Sequence, residues 1–248
     1  MNVTFHTFGR RQNPTLLLLH GIGIGHRLWT RQIECFQSSY FVIAPDMAGL
    51  ASQACPDGDI RDIARHLEDE LGSQSLNSVA VCGISAGASV ALALAARMGS
   101  RVNRLILSAP HARAPRFALG LQIAVCKLLP KNALVAATKA GVKNDPVIAA
   151  AAEEDSRALG KRGLLAALDM LWKLDLRLEL RNVVAPAWVL CGERDRVNLS
   201  VARAMAKLLP DGRLHVEPGA RHLWNVQAPD RFNAVLREAL DGSVGEQR

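Results

Sequence analysis

One short segment limits the possible folds of this chain more than any other. Residues 79–82 are apolar, and they lead through Gly83-Ile84-Ser85-Ala86-Gly87 into an alanine- and leucine-rich run. The first run predicts a buried strand and the second a helix, with Ser85 at the corner between them. Such a corner residue is strained and its neighbours are crowded, so only glycine fits well beside it. We therefore expect the Ser85 hydroxyl at the tip of a rigid turn, near helix amides that favour negative charge.

Uniform apolar runs elsewhere in the chain predict a fold of the α/β class. These runs do not alternate with polar residues, as a sheet that is buried on both faces requires. They lie at 15–20, 40–46, 78–82, 104–109, 187–191 and 213–217. Helical patterns lie between them, at 59–71, 85–98, 200–209 and 230–240, with Ser200 as a candidate N-cap. The order predicts a mostly parallel central sheet with helices on both faces.

The alternation of strands and helices stops between residues 111 and 182, where the sequence carries no strand pattern. This segment predicts several helices, one of which begins at Asp145-Pro146, with aspartate as the cap and proline at the first helical position. A connection of this length is too long for a simple loop. We therefore expect a helical cap over 111–182, inserted into a core made of 1–110 and 183–248.

Charge excludes some partners and leaves others open. The 248 residues carry a net charge of +7, and the segment 111–182 holds 12 Lys or Arg against 7 Asp or Glu. Because no basic run is interleaved with aromatic residues, we expect no nucleic-acid binding. The basic segment is interpreted as a surface asymmetry, with an anionic substrate or an acidic protein partner as the alternative.

Cysteine usage and hydropathy predict a cytoplasmic protein. The chain has five cysteines: Cys35, Cys55, Cys82, Cys126 and Cys191. They show neither a pairing pattern nor metal-ligand spacing, which fits a reducing cytosol, and we expect Cys82 and Cys191 to be buried. The first residues do not form a signal peptide, and no apolar run approaches the ~20 residues of a membrane span. We expect no membrane association.

Two later loops carry partners for the serine, which needs a base and an orienting acid to react. His222 follows the last predicted strand and Asp195 follows the strand before it, so both are expected at the sheet edge that presents Ser85. Asp195 would fix the tautomer of the His222 ring and stabilise its charged form. Glu193 and Asp46 remain alternative acids, although Asp46 is more typical of a carboxylate that structures a loop.

A glycine-rich turn, His20-Gly21-Ile22-Gly23, follows the first predicted strand. A tetrahedral intermediate needs N–H donors aimed at its developing oxyanion, and the backbone amides of Ile22 and Ala86 are the candidates. A phosphate-binding loop is disfavoured, because both the third glycine of the dinucleotide pattern and a Gly-Lys-Ser/Thr segment are absent. His111 and Trp224 are candidate pocket residues. The leucine-rich cap predicts a small-molecule substrate with an apolar acyl part, and no metal or organic cofactor is implied.

Five motifs occur in a specific order. They are His20-Gly21-Ile22-Gly23, Pro45-Asp46-Met47-Ala48-Gly49, Gly83-Ile84-Ser85-Ala86-Gly87, Gly192-Glu193-Arg194-Asp195 and Gly219-Ala220-Arg221-His222. In this order they resemble the α/β-hydrolase superfamily, and most closely its small bacterial carboxylesterases, lactonases and thioesterases with an all-helical cap. The resemblance covers essentially the whole chain and implies an α/β-hydrolase fold. It also implies Ser85 as nucleophile, His222 as base and Asp195 as acid.

Three residues depart from the family pattern, namely Leu50, Ile84 and Ala88, and they prevent assignment to one subfamily. The implied reaction is hydrolysis of a small ester, lactone or thioester through an acyl-serine intermediate. Three alternatives stay open on the same fold: a C–C bond hydrolase, an acyltransferase with an acceptor other than water, and a non-catalytic ligand-binding protein.

Overall fold

The computed structural model describes residues 3–50 and 58–242. Their strands are β1 (Val3–Phe8), β2 (Thr15–Leu19), β3 (Phe41–Met47), β4 (Val79–Ile84), β5 (Val102–Ser108), β6 (Ala187–Gly192) and β7 (Gly212–Glu217). They form one sheet in the order β1-β3-β2-β4-β5-β6-β7. β1 pairs antiparallel with β3, and the other neighbouring strands pair parallel. The expected mostly parallel sheet is confirmed.

Helices connect the strands and cover the sheet. They are α1 (Thr30–Phe36), α2 (Ile60–Ser73), α3 (Ala86–Met98), α4 (Arg116–Leu128), α5 (Lys131–Gly141), α6 (Pro146–Lys173), α7 (Arg196–Leu208), α8 (Trp224–Gln227) and α9 (Pro229–Asp241). Short 3-10 turns cover His26–Trp29, Gly99–Arg101 and Glu179–Asn182. Between residues 111 and 182, all of which the structure describes, the regular elements are helical.

The sheet separates two apolar cores. Every residue of β2 is buried, and its side chains alternate between the two faces. Leu17 and Leu19 join the core that contains residues of α2 and α3, while Leu16 and Leu18 join the core that contains residues of α1 and α9. A strand that is buried on both faces explains why this run is apolar throughout.

Several elements differ from the sequence expectation; α1 and α8 were not predicted, and β1 and α7 show why. β1 was not predicted, because it is an edge strand whose polar residues interrupt the apolar pattern. The helix expected from Ser200 begins at Arg196 instead, so Ser200 lies inside α7 and is not its cap. Asp195 occupies the N-cap position but makes no side-chain capping bond. Its carboxylate contacts the side chains of Asn198 and His222 instead.

Helix α6 begins as the sequence predicts and is tied to α1. The Asp145 carboxylate accepts hydrogen bonds from the amides of Val147 and Ile148. It also contacts Nε of Arg31 at 2.5 Å. Burial raises the pKa of Asp145, but the contact with Arg31 and the two amide hydrogen bonds together outweigh burial and hold that pKa below its ordinary value. This one carboxylate therefore caps α6 and anchors it to the core.

The thiols are unpaired within the described residues. Cys35, Cys82, Cys126 and Cys191 are free, and Cys82 and Cys191 are buried as expected. Cys55 lies outside the described residues. Burial raises the pKa of Cys191 to about 12. In the described part of the chain, no helix combines the length and the apolar character that crossing a membrane requires.

Candidate active site

Ser85 lies at a strained corner between β4 and α3. Its φ is +57° and its ψ is −120°, a backbone conformation that residues other than glycine rarely adopt. Its amide donates to the carbonyl of Ser108 at 2.8 Å, which fixes the corner to the neighbouring strand. Because β4 lies between β2 and β5, the side chain emerges near the centre of the sheet. Strain that is held this firmly is typical of functional positions.

The two glycines that flank this corner are required by space. A Cβ on Gly83 would lie 2.3 Å from the carbonyl oxygen of Gly87. A Cβ on Gly87 would lie 2.2 Å from the carbonyl oxygen of Leu19. Any side chain at either position would therefore overlap backbone atoms that cannot move easily. This crowding is the physical reason for the glycine spacing in the sequence.

The His222 ring and the Asp195 carboxylate form a close pair. Nδ1 of His222 lies 2.6 Å from Oδ2 of Asp195. Burial raises the pKa of Asp195, but the contacts with His222 and the hydrogen bonds from Asn198 together outweigh burial and keep this pKa below its ordinary value. The carboxylate is therefore ionised at neutral pH. It can orient the ring and stabilise its positive charge.

Asn198 is a third member of this pair that sequence reasoning missed. Its side-chain amide donates to both oxygens of Asp195, at 2.9 and 2.7 Å. The same nitrogen lies 3.0 Å from Nδ1 of His222. The residue is buried in the first turn of α7. The sequence signal for this contact was the spacing of three residues between Asp195 and Asn198. In a helix that begins at Arg196, that spacing places both side chains on one face.

The hydroxyl of Ser85 and the ring of His222 line the same cavity. Within the residues that the structure describes, no hydrogen bond joins these two side chains. Asp195, Asn198 and His111 line this cavity as well. The structure therefore brings the three predicted catalytic candidates to one side of the molecule, with the acid–histidine contact formed.

His111 lies in the cavity, as the sequence predicted. Its carbonyl accepts a hydrogen bond from the Ser89 hydroxyl at 2.8 Å, which fixes the backbone after β5. Burial lowers the pKa of His111 to about 4, and the nearby charge of His222 adds to this effect. His111 is therefore neutral at pH 7, so it presents a polar but uncharged ring to the cavity.

The two predicted oxyanion donors, the amides of Ile22 and Ala86, lie in two different segments beside Ser85. Ile22 lines the cavity, and its loop packs closely on the corner, since a Cβ on Gly21 would lie 3.4 Å from Cβ of Ser85. Ala86 is buried and is the first residue of α3, where helix amides lack partners within the helix. Both amides therefore belong to segments that adjoin Ser85, as an oxyanion site requires.

The cavity has a volume of about 540 Å³ and a mainly apolar lining. Helices α4, α5 and α6 contribute leucines to it: Leu119, Leu134, Leu164, Leu168 and Leu171. Among the described residues that line it there is no Lys or Arg. The basic side chains of 111–182 thus do not face this space. Two other leucines of α4, Leu121 and Leu128, are exposed and do not line the cavity.

Trp224 does not line the cavity, and its assignment as a pocket residue is corrected. Its side chain is fully buried. Its ring packs edge-on against Phe232, with centroids 4.7 Å apart, and stacks near His215 at 6.0 Å. The residue lies in the short helix that follows the His222 loop. Its side chain turns into the apolar core beneath the sheet edge.

The two rival acids make other contacts. Glu193 accepts a hydrogen bond from the amide of Gly219 at 2.8 Å. Asp46 contacts His6 and His26. Neither carboxylate lines the cavity that contains Ser85. Asp195 is therefore the acid whose position matches a role beside His222.

Comparison with known proteins places the chain in a family. The sequence profile of the alpha/beta hydrolase family matches residues 16–235. The 3-oxoadipate enol-lactonase 2 of Acinetobacter baylyi is 26% identical over 254 residues, covering 96% of this chain and 92% of that protein. The pimeloyl-(acyl-carrier protein) methyl ester esterase of Vibrio atlanticus is 24% identical over 259 residues, covering 95% and 98%.

Solved structures agree with this fold. The crystal structure of the enol-lactonase from Burkholderia xenovorans superimposes with a TM-score of 0.82 at 20% identity, and the match covers 96% of each chain. A thermophilic esterase from Thermogutta terrifontis superimposes with a TM-score of 0.79 at 22% identity, covering 97% of this chain and 93% of that one. This chain belongs to the alpha/beta hydrolase family and is an enzyme of that family.

Proposed function

We propose that this enzyme is a serine hydrolase that cleaves a small, uncharged ester, lactone or thioester through an acyl-serine intermediate. The observation that carries the proposal is the contact between His222 and Asp195, at 2.6 Å, in the cavity that Ser85 also lines. The relatives named as an enol-lactonase and a methyl ester esterase support the ester and lactone classes. The free thiols of the described chain fit a cytoplasmic, reducing location, which is part of this proposal.

In the proposed first half-reaction, Oγ of Ser85 attacks the substrate carbonyl. Nε2 of His222 takes the hydroxyl proton and then donates it to the leaving group, while Asp195 stabilises the charged ring. The amides of Ile22 and Ala86 donate to the oxyanion of the tetrahedral intermediate. In the second half-reaction, water attacks the acyl-serine with His222 again as base, which releases the acid and restores the serine.

The hydrogen bond from Ser85 to His222 belongs to the working enzyme in this proposal. Catalytic hydrogen bonds are often long or misaligned without substrate and shorten in the complex. The ring is already held through Nδ1 by Asp195, which leaves Nε2 as the nitrogen available to Ser85. We therefore assign the base role to this histidine and not to His111.

We propose further that residues 111–182 act as a cap that selects the acyl part. Leucines from α4, α5 and α6 line the cavity, so an apolar chain would replace water there. The described lining offers no cation to pair with a carboxylate, and a buried unpaired charge is costly. A substrate with a charged acyl part is therefore disfavoured, and so is the anionic substrate that the basic cap had suggested.

A matched substrate panel tests this proposal. Purified enzyme is assayed with p-nitrophenyl esters, lactones and thioesters of equal chain length, each with an uncharged or a carboxylate-terminated acyl group. We expect hydrolysis of the uncharged members and much lower kcat/KM for their charged counterparts. A preference for the charged members would contradict the cavity argument. Full activity in the Ser85→Ala variant would contradict the mechanism.

Product analysis in the same assay separates the alternatives. An acyltransferase would yield an acyl-acceptor adduct in place of the free acid. A C–C bond hydrolase would leave the esters intact and would cleave a diketone added to the panel. A non-catalytic binding protein would turn over none of these compounds and would leave Ser85 unmodified by a fluorophosphonate probe.

A further inference from the structure

Three side chains outside the catalytic cavity bring metal-binding atoms together. His6 of β1, His26 in the turn after β2 and Asp46 near the end of β3 each offer one atom, and these atoms lie within 4.8 Å of one another. Nε2 of His6 lies 2.9 Å from Oδ2 of Asp46. Nδ1 of His26 lies 3.0 Å from the same oxygen. None of the three lines the catalytic cavity.

The carboxylate of this cluster is held in position by the backbone beside it. The backbone amide of His26 donates to Oδ1 of Asp46 at 2.6 Å. A Cβ on Gly25 would lie 2.3 Å from that oxygen, so the carboxylate can approach this closely only beside glycine. Such supporting contacts orient metal ligands.

We propose that His6, His26 and Asp46 bind one zinc ion, with water as the fourth ligand. Two imidazoles and one carboxylate are a donor set that zinc accepts, whereas magnesium and calcium prefer oxygen ligands alone. Ligand atoms that lie ~2.0–2.1 Å from a tetrahedral zinc ion are about 3.3 Å apart. The separations of 2.9 and 3.0 Å around Oδ2 of Asp46 come close to this value.

Binding requires a small rearrangement of the two rings. They stack with centroids 3.7 Å apart and 18° between their planes, so their nitrogen lone pairs run nearly side by side. One ring rotates about its Cβ–Cγ bond to bring both lone pairs to one ion. A proton on either coordinating nitrogen moves to the other ring nitrogen, and the imidazoles stay neutral. Side-chain exposures of 33%, 20% and 28% for His6, His26 and Asp46 leave room for this rotation and for water.

A neighbouring carboxylate, that of Asp155, is already engaged. Oδ1 of Asp155 lies 2.6 Å from the Arg27 guanidinium, and its Oδ2 accepts the amide of Gly25 at 2.9 Å. The zinc site therefore has three protein ligands, one negative charge among them, and an open position. Sequence spacing gave no sign of it, because the ligands meet only when β1 pairs with β3 and places Thr4 opposite Asp46.

Zinc titration of the EDTA-treated enzyme tests this proposal by calorimetry. We expect one equivalent of Zn²⁺ to bind the native chain and to raise its Tm, because a ligand of the folded state stabilises that state. His6→Gln and His26→Gln are expected to weaken this binding by at least about tenfold and to remove the Tm shift. Circular dichroism without zinc checks that each variant is folded. If one of the two variants does not fold, the other still tests the proposal.

Two further variants serve as controls. His66→Gln changes an exposed histidine on α2, and His222→Gln removes the cavity histidine that could itself hold zinc beside Asp195. Both are expected to bind zinc as the native chain does. Undiminished binding by the folded His6→Gln and His26→Gln variants would overturn the proposal. So would the absence of zinc binding by the native chain, or binding that only His222→Gln abolishes.

Discussion

Nδ1 of His222 lies 2.6 Å from Oδ2 of Asp195, although 27 positions separate the two residues in the chain. The contact follows from the sheet, because β6 and β7 run parallel and both loops leave the same edge. The amide of Arg194 also donates to the carbonyl of Ala220 at 2.8 Å, which joins the two loops directly. The pair is thus fixed by the backbone and is ready to support a base.

Asp195→Asn is expected to lower kcat by about four orders of magnitude, the loss known for a triad aspartate in serine proteases. An amide can donate to Nδ1 and so favour the wrong tautomer of the His222 ring. The measurement is steady-state hydrolysis of a short p-nitrophenyl ester. Glu193→Gln is the matched control, since that carboxylate bonds to the amide of Gly219 and not to the histidine. Equal losses in both variants would contradict the assignment.

Gly87→Ala is expected to destabilise the fold by about 1–3 kcal/mol, the usual range for overpacking. The new Cβ would lie 2.2 Å from the carbonyl oxygen of Leu19, a backbone atom in the central sheet. Equilibrium denaturation measures the free energy of unfolding. Gly72→Ala is the control, because the nearest atom to its Cβ is 3.9 Å away, at the end of the Arg101 side chain. It should be neutral or stabilising by up to about 1 kcal/mol. Similar effects at both glycines would be evidence against the crowded corner.

Asp145→Asn should cost about 1 kcal/mol of unfolding free energy at pH 7, because the Arg31 partner is partly exposed. Asparagine still caps α6, so the change isolates the ion pair. The pKa of Asp145 is lowered in the folded state, so its stabilisation is present above the unfolded value of about 3.9 and is lost as the pH falls below it. The difference between native and variant should therefore shrink as the pH is lowered from about 5 toward the acid limit at which both still fold. A difference that does not vary with pH would contradict the ionic contribution.

Ala118→Phe is expected to shift the substrate preference toward shorter acyl chains by at least about tenfold in kcat/KM ratio. Ala118 lies on α4 and lines the cavity, so an added ring would occupy space that a long chain needs. The test compares acetyl and octanoyl p-nitrophenyl esters. Ala136→Phe adds the same ring to α5 at an exposed position away from the cavity lining. An equal shift in both variants would argue against the cavity as the acyl site.

The sequence was sufficient to predict the central strands of the sheet and the loops that carry Ser85, Asp195 and His222. Strands buried on both faces must be uniformly apolar, so their positions were visible, and parallel strands deliver their following loops to one edge. The edge strand β1 was missed because one of its faces meets solvent. Its residues therefore need not all be apolar, and apolar runs were the pattern by which the other strands were predicted.

Contacts between side chains were harder to predict from the sequence than the order of helices and strands. Asn198 was missed because α7 was expected to begin later than Arg196, and Trp224 was assigned to the cavity although it packs against Phe232 in the core. A sequence pattern gives the face of an element and not the direction in which a loop side chain turns. His6 meets Asp46 through the pairing of β1 with β3, and His26 meets it from the turn after β2.

The most direct test of the account is the site that a fluorophosphonate probe modifies. Native enzyme and the His222→Asn variant are treated with the probe, and the labelled peptide is sequenced by mass spectrometry. We expect stoichiometric labelling of native enzyme on Ser85, and labelling slowed by about 10³-fold or more without the histidine base. Labelling of a different residue in active enzyme, or an undiminished rate in the variant, would contradict the proposed nucleophile and its activation.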